Sequence, residues 1–208
     1  MGRPEADWTR LSAMTVLGNA LQGLQLDDCN EEALAILQAK LSILRRLKPG
    51  EPNHPSIHAL LGNISNCYSQ LGRYEECLEI ARDVFAFNKA VHGNSSERTI
   101  SVSVNLANAL LCAGRIKEAK QFLLERIKLV RRALGADHMF AIQLSAQYGT
   151  GLIHETDSSL DDRQEAVEVL ESCERRARRV LGSPHPLTGK IELLLEAARE
   201  RLRTHNGG

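Results

Sequence analysis

Apolar residues recur at steps of three and four along most of this chain, and the blocks that carry them recur in turn. Residues 100–134 show it most cleanly. Ile100, Val104, Ala107 and Leu111 line one stretch, and Ile116, Ala119, Leu123, Ile127, Val130 and Leu134 line the next. Such steps gather apolar side chains on one face of an α-helix. Gly114-Arg115 separates the two stretches, and a glycine accepts the left-handed backbone that closes a helix. The spacing predicts two antiparallel helices joined by a tight turn.

The same scheme stands one block earlier. Helices are predicted over 55–71 and 74–91, joined by Gly72-Arg73. Leu60, Leu61, Ile64, Tyr68 and Leu71 line the first, and Tyr74, Leu78, Ala81, Phe85 and Val91 form the buried stripe of the second. His54 opens this block; Ser96 stands 42 residues on, His138 another 42, and His185 a further 47. Asn63 and Asn105, Asn66 and Asn108, and Gly72 and Gly114 keep the same step. A fixed period of this size marks a solenoid, in which each unit buries its apolar face by stacking on the next. The five extra residues of the longer step fall between Thr156 and Asp162, a polar run predicted to be loop. The first unit is divergent, with Leu17-Gly18-Asn19-Ala20-Leu21 in its first helix. Asp27-Asp28-Cys29-Asn30 is expected as a longer turn before Ala33, Leu34, Leu37, Leu41, Leu44 and Leu47. A last, unpaired helix of about 17 residues carries Leu187, Ile191, Leu194, Leu195, Ala198 and Leu202 on one face, as a cap should. The expected organisation is a single repeat domain over residues 8–203. Its units cover about 8–50, 54–95, 96–137 and 138–184, the cap covers 185–203, and residues 204–208 form a disordered tail.

Leu71-Gly72-Arg73-Tyr74-Glu75-Glu76-Cys77 and Ala113-Gly114-Arg115-Ile116-Lys117-Glu118-Ala119 resemble the tetratricopeptide repeat, as does Leu17-Gly18-Asn19-Ala20-Leu21. The 42-residue unit has a long second helix. It ends in turns such as Leu134-Gly135-Ala136-Asp137-His138 and Leu181-Gly182-Ser183-Pro184-His185, and is similar to the repeats of kinesin light chains. The resemblance implies an all-α fold: a right-handed superhelical solenoid of about four helix pairs with a C-terminal capping helix. It further implies a protein–protein interaction module that holds a peptide or protein segment in a concave groove lined by the first helix of each pair. Asn19, Asn63, Asn66, Asn105 and Asn108 fall on those helices, with Gln147 and Thr150 at the matching places of the fourth unit. An amide donates and accepts at once, so a ladder of them can hold an extended backbone. The alternative is that these amides bond neighbouring backbone and fix the repeat geometry.

Composition narrows the choice. Lys plus Arg and Asp plus Glu are each 26, and aromatics make up 4%, which argues against a nucleic-acid binder. The basic pairs Arg45-Arg46, Arg131-Arg132, Arg175-Arg176 and Arg178-Arg179 end second helices, where they complement the helix dipole or present a stripe to an acidic partner. Five cysteines without CxxC spacing are expected to be reduced packing residues. The first residues lack the apolar core of a signal peptide, and a cytoplasmic protein without membrane contact is expected. His54 and His58 could share a helix face, but no nearby Cys, Asp or Glu completes a zinc set. No catalytic triad, phosphate loop or carboxylate pair can be placed, so neither an enzyme nor a cofactor is expected. The alternatives are a self-associating scaffold, hence a homo-oligomer, and a non-catalytic repeat domain of a larger signalling assembly.

Overall fold

The computed structural model describes residues 4–24, 26–47, 51, 54–155 and 159–206. Among them every regular element is helical. In chain order these are α1 (Pro4–Gly23), α2 (Asp27–Leu47), α3 (Pro55–Gln70), α4 (Tyr74–His92), α5 (Glu97–Cys112), α6 (Ile116–Leu134), α7 (Met139–His154), α8 (Leu160–Leu181) and α9 (Pro186–Asn206). They fall into two compact units, Met1–Val91 and His92–Gly208.

The period seen in the sequence is the period of the helix starts. His54 Nδ1 accepts from the backbone N–H of Ser56 at 3.2 Å, and His138 Nδ1 from that of Phe140 at 3.2 Å. His185 Nδ1 does the same for Leu187 at 3.1 Å, and Ser96 Oγ for Thr99 at 3.2 Å. One N-cap acceptor at each step satisfies an orphan amide at the head of α3, α5, α7 and α9. Three residues after each cap the chain turns inward. Ile57, Thr99, Ala141 and Thr188 are all buried. The helix ends keep the same period. Gly135 and Gly182 take φ of 93° and 85° and donate their N–H to Arg131 and Arg178 carbonyls, a backbone that a Cβ would strain.

In the N-terminal unit, α1 packs on α2 and α2 on α3 around Leu11, Leu34, Leu37, Leu44, Leu60 and Ile64. Gly18 lets α1 approach closely, since a Cβ there would lie 2.9 Å from Leu37 Cδ2. α4 packs on α3 through the stacked rings of His58 and Phe87, 3.7 Å apart, and through Ser65 Oγ, which donates to the Cys77 carbonyl. In the C-terminal unit α6, α7, α8 and α9 pack in succession, and α7 also touches α5 and α9. Gly149 repeats the device of Gly18, with a virtual Cβ 2.8 Å from Leu170 Cγ.

Several expected details need correction. The buried stripe of α4 is Cys77, Leu78, Ala81 and Val84; Tyr74 and Val91 are exposed. The helix phase follows the small residues rather than the largest ones. Asp27-Asp28 open α2 rather than form a turn, because two acids in the first turn favour the helix dipole. Leu160-Asp161-Asp162 are helical, since Ser159 and Asp162 form a reciprocal capping box. That leaves the inserted residues at 155–159, of which 156–158 lie outside the described residues. Lys120 of α6 pairs with Glu155 at 2.5 Å. The tail expected from Thr204 is helical through Asn206, and Gly207 and Gly208 lie outside the described residues. Among the described residues no helix is long and apolar enough to cross a membrane.

Candidate functional site

The N-caps His54, Ser96, His138 and His185 fix where α3, α5, α7 and α9 start, and so which side chains each presents. Counting from those caps, α9 stands in the register of a first helix: Lys190 and Leu194 lie 47 residues after Gln143 and Gln147. In the C-terminal unit α5, α7 and α9 together line a cavity of about 500 Å³. Leu111, Ile116, Ala146, Leu187, Ile191 and Leu194 make its apolar walls. Asn108, Gln143, Gln147 and Thr150 supply hydrogen-bonding groups, and His154 and Lys190 lie at the same cavity, with no carboxylate lining it among the described residues.

The polar groups are not equivalent. Gln147 Nε2 donates to the Val104 carbonyl of α5 at 3.1 Å, which fixes the amide's orientation. Its Oε1 is thereby left buried with no partner. A buried acceptor without a donor costs about 1–3 kcal/mol. Thr150 spends its proton on the Ala146 carbonyl at 3.0 Å, so its remaining capacity is as an acceptor. Asn108 is half-buried and keeps both donor and acceptor for whatever enters.

Of the seven side chains singled out in the sequence, Asn108, Gln147 and Thr150 converge on this cavity. Asn105 is exposed on α5. In the N-terminal unit Asn63 Nδ2 donates to Asn19 Oδ1 at 3.2 Å, and Gln22 Nε2 donates to the Asn63 carbonyl at 2.9 Å. There the amides join α1 to α3. Asn66 stands exposed on α3. Gln143, His154, Lys190 and the α9 leucines were not anticipated as lining residues, although the 47-residue step already placed α9 beside α7.

The two histidines that could share a helix face have different surroundings. His54 Nδ1 is engaged as a cap, while His58 is buried against Phe87 with neither ring nitrogen bonded. Burial holds the His58 pKa below its ordinary value, with Asp83 opposing the shift. Among the described residues no three His, Cys, Asp or Glu side chains gather as metal ligands would. None of the cysteines is in a disulfide; Cys67, Cys77 and Cys173 are buried as expected of packing residues, and Cys112 is exposed at the cavity.

Residues 56–132 match the family profile of the tetratricopeptide repeat. That stretch carries tetratricopeptide repeats. Its fold is similar to that of a Podosopora anserina protein described as a kinesin light chain with nearly identical TPR-like repeats. The TM-score is 0.69 at 20% identity, over 91% of this chain and 86% of that one. BtubC (BKLC) from P. vanneervenii is a more distant match, with a TM-score of 0.54 at 12% identity, over 98% of this chain and 93% of that one. At these identities the likeness is one of fold. In sequence, the chain is 24% identical over 93 residues to a clustered mitochondria protein homolog of Candida albicans. That match takes in 45% of this chain and 7% of that protein. Repeats of this type generally mediate protein–protein interaction. Helices continue past the profile match, through α7 and α8 to α9.

Proposed function

We propose that the protein is an adaptor that holds an extended segment of a partner protein in the cavity of α5, α7 and α9. The observation that carries this reading is the Gln147 carbonyl oxygen. It is buried without a donor because the same amide is fixed to Val104. A peptide N–H entering the cavity would supply the missing donor, while Asn108 answers a peptide N–H and C=O together. The aliphatic walls from Leu111, Leu187 and Leu194 would take an apolar side chain of that segment. In the N-terminal unit the Asn19–Asn63 bond suits a geometric role, so the reading places binding in the C-terminal unit.

The test is a peptide library selected on the immobilised protein, followed by titration of the selected peptides. Removing two hydrogen bonds at about 0.5–1.5 kcal/mol each should weaken binding by roughly five- to a hundredfold in Asn108→Ala, Gln147→Ala. Asn63→Ala should bind normally. Equal affinity in the double variant with unchanged helicity would refute the reading.

A further inference from the structure

A second cleft opens on another face of α7, between the C-terminal half of α6 and α8. Its inner part, about 200 Å³, is lined by Arg131 of α6, Ser145 of α7, and Glu168, Ser172 and Arg176 of α8. It adjoins a wider lobe of about 470 Å³ that shares Ser172 and Arg176 and adds Asp137, Arg175 and Arg179. Four arginines therefore face two carboxylates across the two lobes.

The guanidinium groups differ in what already occupies them. Arg179 is held by Asp137 at 2.6 Å, and Arg175 reaches Glu171 at 4.0 Å. Arg176 donates to the Ala136 carbonyl at 3.0 Å and stands 4.0 Å from Asp137. Arg131 is aimed by a neutral group: it donates at 3.2 Å to the hydroxyl of Ser145, which is buried and donates in turn to the Ala141 carbonyl. Glu168, the one carboxylate of the inner part, is exposed to solvent. Two like charges, Arg131 and Arg176, thus converge on a small cleft with the Ser172 hydroxyl beside them. Both act on the buried Cys173 thiol, which burial nonetheless pushes up to about 11. Guanidinium forks match the oxygens of a phosphate in pairs, and a dianion between two cations removes their mutual repulsion.

We propose that this cleft binds the phosphate monoester of a phosphorylated serine or threonine in a partner protein, with Arg131 and Arg176 as its ligands. The wider lobe then receives the residues that flank the phosphorylated one, which is why a protein segment fits better than free phosphate. The site lies apart from the α5–α7–α9 cavity and does not depend on its function.

The experiment compares the acetylated peptides Ala-Ala-phosphoserine-Ala-Ala, Ala-Ala-Glu-Ala-Ala and Ala-Ala-Ser-Ala-Ala, with inorganic phosphate, by titration calorimetry at constant ionic strength on the full chain. The phosphoserine peptide should bind at least tenfold tighter than the glutamate peptide and tighter than inorganic phosphate. Arg131→Gln should weaken it at least fivefold and Arg131→Lys by less, both with unchanged circular dichroism. Gln147→Ala, in the other cavity, should leave it unaltered. Equal binding of the glutamate peptide, or undiminished binding in Arg131→Gln, would overturn the site. Equal affinity for inorganic phosphate would overturn its assignment to a protein side chain.

Discussion

Leu195 offers the sharpest test of α9 as a structural element. It is 4% exposed, whereas Leu193 on the same helix is 69% exposed. Leu195→Ala removes three carbons from a closed contact, at about 0.8 kcal/mol each by transfer, and leaves a cavity whose cost raises the total to roughly 3–5 kcal/mol. Leu193→Ala removes the same atoms from a solvated surface and should change stability by less than about 0.5 kcal/mol. Because α9 packs on α8 and α7, the loss is local. In a stack coupled between nearest neighbours it weakens the contacting helices first. A chain with two compact units need not melt in one step, so a single Tm is a poor measure. Hydrogen exchange resolves the two. Leu195→Ala should lower protection along α9 and α8 and leave α3 as it was. Urea denaturation followed by the same exchange should show the C-terminal unit opening earlier. If Leu195→Ala and Leu193→Ala shift protection equally, or if protection in α8 is unchanged, α9 is not packed as described.

Two other variants probe the packing elsewhere. Gly62 has nothing within 4 Å of a virtual Cβ, so Gly62→Ala should gain up to about 1 kcal/mol of helix propensity. Gly149→Ala meets Leu170 at 2.8 Å and should fall below it by about 1–3 kcal/mol in urea midpoints converted to free energy; equal shifts would contradict the α7–α8 contact. His58 has a lowered folded pKa, so below about pH 6.5 the unfolded chain takes up a proton that the folded chain refuses, and stability falls as pH drops. His58→Phe keeps a ring against Phe87 and removes the titration, so its loss of stability between pH 7.5 and 5 should be smaller than that of the wild type; parallel curves would show that His58 is not the sensor.

Much of the fold was legible because its punctuation repeats. The step from His54 to Ser96, His138 and His185 marked four helix starts, and the structure shows the chemistry behind it, an acceptor at each N-cap. Helix phase was harder to see. In α4 the large residues Tyr74, Phe85 and Val91 suggested one face, while packing selected Cys77 and Val84, which are small enough for close helix approach. The candidate site was legible as a set of register positions but not as a site. An asparagine has the same chemistry whether it faces another amide, as Asn63 does, or open space, as Asn108 does, and only the neighbouring helix decides. Lys190 and Leu194 were not read as lining residues, although the period had already set them in register with Gln143 and Gln147.

That register explains why one face of the C-terminal unit combines amides with aliphatic side chains. Asn63, Asn105, Gln147 and Leu194 occupy one column of the repeat, and Asn66, Asn108, Thr150 and Ala197 another. Both columns are polar until α9, where both become apolar. The repeat supplies equal backbone geometry at every step, and substitution along two columns sets the chemistry. α9 both packs on α7 and α8 and supplies an apolar wall of the cavity. Leu187 and Leu194 line the cavity and are half-buried, so on the adaptor reading a bound segment adds to the burial of α9. On that reading, occupancy of the cavity and the stability of α9 are linked. A ligand held by α5, α7 and α9 at a hundred times its Kd stabilises the unit by about 2.7 kcal/mol, and protection along α9 must rise with occupancy.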